Sequence, residues 1–126
     1  MKHLLDVNLL IAGIVQTHSL HVQARIWLSG KQIVLCPLVE LGFLRLSTNK
    51  KSAIGLTMDR ARDVLERFAA ERKADRIPDD LPALASQPRT SDQVTDHYLA
   101  NLAAKHGFRL ATFDTQLKHP SVELVS

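Results

Sequence analysis

The sequence predicts an α/β sandwich built on a largely parallel sheet of five short strands. Two observations carry that prediction. Short apolar runs of strand length alternate with helical segments along the whole chain, and neither an internal repeat nor a linker divides it. The 126 residues suffice for one domain, taken here as 1–126.

Lys2–Asp6 is a short apolar run ending in a polar residue and reads as a buried strand. Asn8–Val15 follows directly and looks helical. Ser19–Ser29 sets Leu20, Ala24, Ile26, Trp27 and Leu28 on a broad helical face, with Gly30 as its stop. Ile33–Cys36 is a second buried strand, closed by Pro37. Val39–Leu46 is helical, and Thr48–Gly55 is a basic, polar loop. Thr57 caps a longer helix whose apolar face is Ala61, Val64, Leu65, Phe68 and Ala69. Ala74–Ile77 is a short third strand. Pro78, Pro82 and Pro88 make the next stretch irregular, with one turn at Leu81–Ala85. Thr90 or Ser91 caps a helix to about His106 that turns Val94, Tyr98, Leu99 and Leu102 inward, and Gly107 ends it. Phe108–Thr112 is the fourth strand, and Val122–Val125 alternates as an edge strand does.

Composition excludes several classes. Apolar residues are 45% and charged residues 23%, ordinary for a globular chain and unlike a disordered one. Aromatics are only 5%, so the core must come from Leu, Ile, Val and Ala. Cys36 is the only cysteine, so no internal disulfide forms, which suits a reducing compartment. No run approaches a membrane span, and Leu4–Val15 is broken by Asp6 and Asn8 and lacks a cleavage site. The expected location is the cytoplasm. Net charge is +3, and the excess is local: Lys31–Arg62 holds six basic and two acidic residues. A mildly basic chain is compatible with a nucleic-acid partner.

In parallel α/β sheets the ligand site lies outside the carboxyl ends of the strands. Asp6 ends the first strand. Glu40 lies in the first turn of the helix after the second, Asp96 early in the helix after the third, and Asp114 just past the fourth. Each alone could be only a helix cap, a role for which Asp92 is the better candidate. Together they predict four converging carboxylates. Such a cluster repels itself unless a cation neutralises it, and all-oxygen donors select Mg²⁺ or Mn²⁺. A divalent ion activates water and stabilises charge on phosphate, the chemistry of a phosphodiesterase.

Other sites are poorly supported. His18 and His21 have no partners for a zinc set, and His97 reads as a rim residue. Cys36 lacks a paired His, and no G-x-S-x-G turn, P-loop or dinucleotide fingerprint is present. Arg45, Lys50 and Lys51 form the densest basic cluster, either a solvated loop or a contact to a phosphate backbone. Leu41, Phe43, Leu44 and Leu46 are more apolar than one core face needs, which marks a buried helix or a shared surface for a partner or a second copy.

Leu4-Leu5-Asp6-Val7-Asn8-Leu9-Leu10-Ile11-Ala12 resembles the opening of a PIN domain. Cys36-Pro37-Leu38-Val39-Glu40-Leu41-Gly42-Phe43-Leu44-Arg45 resembles the second block of VapC-type toxins. Val94–Ala100 and Leu110–Asp114 resemble the third and fourth, in matching order and spacing. The resemblance implies a three-layer α/β/α sandwich and a Mg²⁺- or Mn²⁺-dependent endoribonuclease. It implies the toxin half of a type II toxin–antitoxin pair, inhibited by a VapB-like antitoxin. It places the family's acidic quartet on Asp6, Glu40, Asp96 and Asp114, and supporting polar residues on Asn8 and Thr112. Within the site, Asp6 and Asp96 are expected to hold the metal, with Glu40 and Asp114 orienting water or holding a weaker second ion. A homodimer is the expected assembly. The main rival is a PIN-like scaffold that binds RNA or protein without cutting. A phosphatase with Asp6 as nucleophile would want a second Asp where Asn8 stands.

Overall fold

A computed structural model describes residues 1–126. Its elements run β1 (Lys2–Leu5), α1 (Val7–Ile14), α2 (His21–Leu28), β2 (Gln32–Leu35), α3 (Pro37–Thr48), α4 (Met58–Glu71), β3 (Asp75–Arg76), α5 (Val94–Lys105), β4 (Arg109–Thr112) and β5 (Val122–Leu124). Single 3₁₀ turns lie at Ala83–Ala85 and Ser91–Gln93. The sheet order is β3-β2-β1-β4-β5, and every pairing is parallel.

This order dictates the layers. The chain steps from β1 to β2 to β3 in one direction, so right-handed crossovers put α1 to α4 on one face. These helices pack on one another accordingly. The step from β3 back across to β4 runs the other way and puts α5 on the opposite face, against β4 and β1. The result is the expected three-layer sandwich. Sequence direction reverses between β1 and β4, so the crevice between their carboxyl ends is the switch point where such sheets bind ligands.

The central strands are buried on both faces, as parallel strands must be. Leu4, Leu5, Val34, Leu35, Leu110 and Ala111 are all inaccessible. β3 is only two exposed residues, shorter than Ala74–Ile77, and with β5 it closes the sheet with brief edges.

Several boundaries differ from the sequence reading for identifiable reasons. Pro37 starts α3 rather than closing β2, because a proline is tolerated at the first helical position, where its missing N–H is not needed. Asp79 Oδ2 accepts from the Leu38 amide at 3.1 Å and serves the end of α3 that Cys36 leaves uncapped. Ile26 of α2 is 72% exposed, and α2 buries Ala24 and Leu28 instead. Val94 is likewise exposed, and α5 turns Leu99, Ala100, Leu102 and Ala103 inward. No side chain of Thr90, Ser91 or Asp92 caps α5, since the 3₁₀ turn leads into the helix through backbone bonds. Thr57 caps α4 as expected, accepting from the Arg60 amide at 3.1 Å.

Gly42 lets α3 lie against the start of α1. A Cβ there would stand 2.8 Å from Cγ2 and 3.3 Å from Cγ1 of Val7. Val7 is β-branched and follows Asp6 directly, so it has little freedom to yield. Gly42→Ala should therefore destabilise the fold by about 1–3 kcal/mol, the usual cost of overpacking. Chemical denaturation should read a lower midpoint with an unchanged slope, and an unchanged midpoint would contradict the close contact.

Candidate active site

Asp6 occupies the single residue between β1 and α1. Its amide continues the sheet by donating to the Ala111 carbonyl at 3.1 Å. Its side chain caps α1, with Oδ1 accepting from the Asn8 amide at 3.4 Å. The other oxygen, Oδ2, accepts from the Thr112 hydroxyl at 2.5 Å. That hydroxyl in turn accepts from the Asp114 amide at 3.0 Å. Asp114 Oδ1 accepts from the Gln116 amide at 2.9 Å, which closes the loop after β4. Thr112, fully buried at the end of β4, thus joins the acid after β1 to the acid after β4.

Asp96 completes the cluster from the first turn of α5. Burial raises its carboxyl to about 7, helped by the charges of Asp6 and Asp114 and by a hydrogen bond with Asp6. Asp6 is also raised. Its burial outweighs the hydrogen bonds from Thr112, Asn8 and Val7, and the charge of Asp114 adds to the rise. Both rises come first from burial, and neighbouring like charges add to them.

Asp6 and Asp96 face a cleft of about 600 Å³. Asn8, Thr95 and Asp92 stand on its polar side, and Leu38, Leu41 and Leu46 of α3 on its apolar side, with Arg45 among them. Leu41 is 62% exposed. Phe43 is fully buried and belongs to the core, so the apolar surplus of α3 reduces at the surface to Leu41 and Leu46, with Leu38 and Leu44 half-buried.

The structure brings Asp6, Asp96 and Asp114 together and leaves Glu40 outside them. On α3 Glu40 lies about half a turn from the face that carries Leu38 and Arg45, at ~100° per residue. Its carboxylate is gripped by Arg76 of β3, Nε to Oε1 at 3.1 Å and NH2 to Oε2 at 3.3 Å. β3 lies beyond β2, on the side of the sheet away from β4. Asn8 meets Asp6 through its backbone amide, and its side chain is exposed at the cleft rather than bonded to the carboxylate. Lys50 and Lys51 are exposed in the turn after α3 and do not wall the cleft. Cys36 is buried, and its thiol is pushed up to about 12 mainly by that burial, so it is inert.

Sequence reasoning missed Asp92, which faces the cleft beside Asp96 instead of capping a helix. The signal was its i,i+4 spacing to Asp96, which sets both residues on one side of the turn. It also missed Arg76, which no motif marks.

No three His, Cys, Asp or Glu side chains are grouped tightly enough to enclose a metal. The Asp6–Asp96 pair nonetheless fits Mg²⁺, which usually takes one or two carboxylates and completes its shell with water and phosphate oxygens.

A family profile described as PIN domain matches residues 3–122. The chain belongs to the PIN domain family. It is 39% identical over 125 residues to Ribonuclease VapC38 of Mycobacterium tuberculosis, covering 88% of this chain and 84% of that one. Ribonuclease VapC44 of the same species is 31% identical, covering 93% of this chain and 89% of its own. Ribonuclease VapC29 is 34% identical, covering 94% and 90%. Among solved structures, VapBC2 from Rickettsia felis bound to a DNA fragment from its promoter superposes with a TM-score of 0.65. That alignment is 15% identical, covers 98% of this chain and 97% of that one, and shows that this PIN domain shares its fold.

The raised carboxyls make a signed prediction about stability. The folded protein binds these protons more tightly than the unfolded chain, whose carboxyls titrate near 3.8. The resulting cost to folding is absent below about pH 4 and grows as pH rises through about 7. Without divalent metal, Asp96→Asn should therefore gain melting temperature over wild type, and the gain should widen from pH 5 to pH 8. A gain that does not change with pH would contradict the raised carboxyls.

Proposed function

We propose that this PIN domain is a toxin of a type II toxin–antitoxin pair, an endoribonuclease that hydrolyses RNA phosphodiester bonds with Mg²⁺ held by Asp6 and Asp96, Mn²⁺ serving in its place. The single observation that carries this reading is the convergence of Asp6 and Asp96 on one cleft, with Asp114 alongside through Thr112, at the switch point of the sheet. The VapC ribonucleases among its relatives support the activity, and the VapBC2 neighbour supports a VapB-like partner.

When bound, the ion would supply an activated water and positive charge beside the scissile phosphate. The protein's own residues do the rest. Thr112 fixes the Asp6 carboxylate, the outer-shell role that sets ligand geometry. Asp114, held by the Gln116 amide, would orient the attacking water. Asn8 offers its amide side chain to the cleft. Arg45 stands on the opposite wall and would meet the RNA backbone, with Lys50 and Lys51 extending that contact beyond the cleft. Glu40 remains a proposed member of the quartet, but an outlying one that acts only when Arg76 lets go.

A scaffold that only bound RNA would keep no advantage from carboxyls whose burial costs stability. Free cleavage would harm the cell, so an inhibitor should cover the cleft. Its antitoxin would lay an amphipathic helix on Leu41 and Leu46 and insert an Arg or Lys between the acids. The proposed assembly is a homodimer in the cytoplasm; no helix is long and apolar enough to cross a membrane.

Asp6→Asn and Asp96→Asn should each lower Mg²⁺-dependent RNA cleavage about a hundredfold or more, and Glu40→Gln by less than about tenfold. Gel analysis of a labelled RNA pool checks this. Wild-type cleavage by Asp6→Asn would refute the reading, and loss in Glu40→Gln equal to that in Asp96→Asn would return Glu40 to the centre of the site.

A further inference from the structure

A second cleft, of about 570 Å³, adjoins the acid cluster and has no hydrophobic residue in its lining. Its lining includes Arg89 and Thr90 ahead of α5, Gln93 and His97 at the entry to α5, and Gln116 and Lys118 of the loop after β4. Its size lies within the ~300–1,000 Å³ common for ligand sites, yet its lining is the reverse of the mostly apolar drug-type pocket.

The cleft is tied to the acids by both walls of the active site. Gln93 Nε2 donates to the Gln116 carbonyl at 3.3 Å, and the Gln116 amide donates to Asp114. Along the entry to α5 the residues divide. Asp92, Thr95 and Asp96 face the cleft with Arg45, while Gln93 and His97, four apart, face the second cleft. The acids therefore stand at the crossing between two depressions.

The side chains of the second cleft are built to stay put and to bind an anion. His97 packs edge-on to His119 with ring centres 5.6 Å apart. Asn101 then bonds both histidines, donating to His97 Nδ1 at 3.4 Å and meeting His119 Nε2 at 2.7 Å. Arg89 and Lys118 are exposed and take part in none of the ion pairs of the fold. They stay unpaired although Asp92 and Asp114 are only three and four residues away along the chain. Two free cations beside the polar side chains of Thr90, Gln93 and Gln116 suit the ribose–phosphate backbone, which needs positive charge and hydrogen-bond donors and no apolar contact.

We propose that this cleft holds the RNA backbone on one side of the scissile bond, Arg89 and Lys118 each contacting a phosphate that flanks the one at the acids. The strand then runs from the Arg45 wall, over Asp6 and Asp96, into the Arg89–Lys118 cleft. This inference rests on the ribonuclease reading and adds to it the path of the substrate strand.

The test separates binding from cleavage. A fluorescent single-stranded oligoribonucleotide is titrated in Mg²⁺ with the full chain carrying Asp6→Asn, so that nothing is cut. Adding Arg89→Ala and Lys118→Ala should weaken binding about tenfold or more. It should also reduce the slope of log affinity against log salt by about 1.4, two contacts at ~0.7 each on a single strand. Arg62→Ala, an exposed cation of α4, should change neither. In the otherwise wild-type chain the two substitutions should raise KM and leave kcat within about twofold, since they remove uniform binding. Equal affinity and slope with and without Arg89 and Lys118, in a protein whose wild type cleaves RNA, overturn the cleft alone. A wild type that neither binds nor cleaves RNA overturns both readings.

Discussion

Everything at the active edge of this protein depends on the bond between the Thr112 hydroxyl and the Asp6 carboxylate. Asp6 has to end β1, start α1 and remain a carboxylate where water hardly reaches it. A buried acid with no donor would stay neutral or force the junction open. The Thr112 hydroxyl supplies that donor from the neighbouring strand and receives the Asp114 amide on its other side. The β1–β4 register, with Leu5 opposite Ala111, puts the two strand ends level so that this relay can form. The geometry of this acidic edge is thus a consequence of sheet register, and the register is fixed by the inaccessible leucines and alanine of β1 and β4.

The price is electrostatic. Asp96 is brought against Asp6 by the crossover that lays α5 on the far face; Asp6 is buried and Asp96 is half-buried at the cleft. Burial lifts both, with the charge of Asp114 adding to Asp6 and the charges of Asp6 and Asp114 adding to Asp96, which rises to about 7; a bound cation would relieve the same repulsion. Stored repulsion of this kind is a common way for a small enzyme to favour ligand over empty site. Glu40 is relieved differently, by a two-pronged contact with Arg76 in which each guanidinium nitrogen meets one carboxylate oxygen. The same fold therefore neutralises its acids in two ways: raised carboxyls at the centre and an internal arginine at the periphery.

Much of the fold was legible because it depends on patterns of burial. The short apolar runs around Leu4, Val34 and Leu110 had to be strands buried on both faces, and the directional rule for crossovers then set the layers. Asp6 and Asp114 were legible as strand-end residues, and Thr112 through its family resemblance. What escaped was long-range and polar. Arg76 on a two-residue edge strand, and Asp79 capping α3 from 41 residues away, leave no periodicity to read. The outward turn of Ile26 and Val94 was hidden for another reason: apolar residues at helical spacing do not say which of two faces meets the core. Asp92 looked like a cap because caps are the usual work of an aspartate before a helix, whereas the 3₁₀ turn had already supplied the backbone bonds.

The central claim is that the raised carboxyls of Asp6 and Asp96 retain a proton which a divalent cation replaces. Calorimetric titration of Mg²⁺ or Mn²⁺ into the metal-free protein at pH 6.5, in two buffers of different ionisation enthalpy, counts the protons released on binding. Wild type should release a large fraction of one proton, and Asp96→Asn markedly less. Metal binding by wild type with no proton release, or with release unchanged in Asp96→Asn, would contradict it.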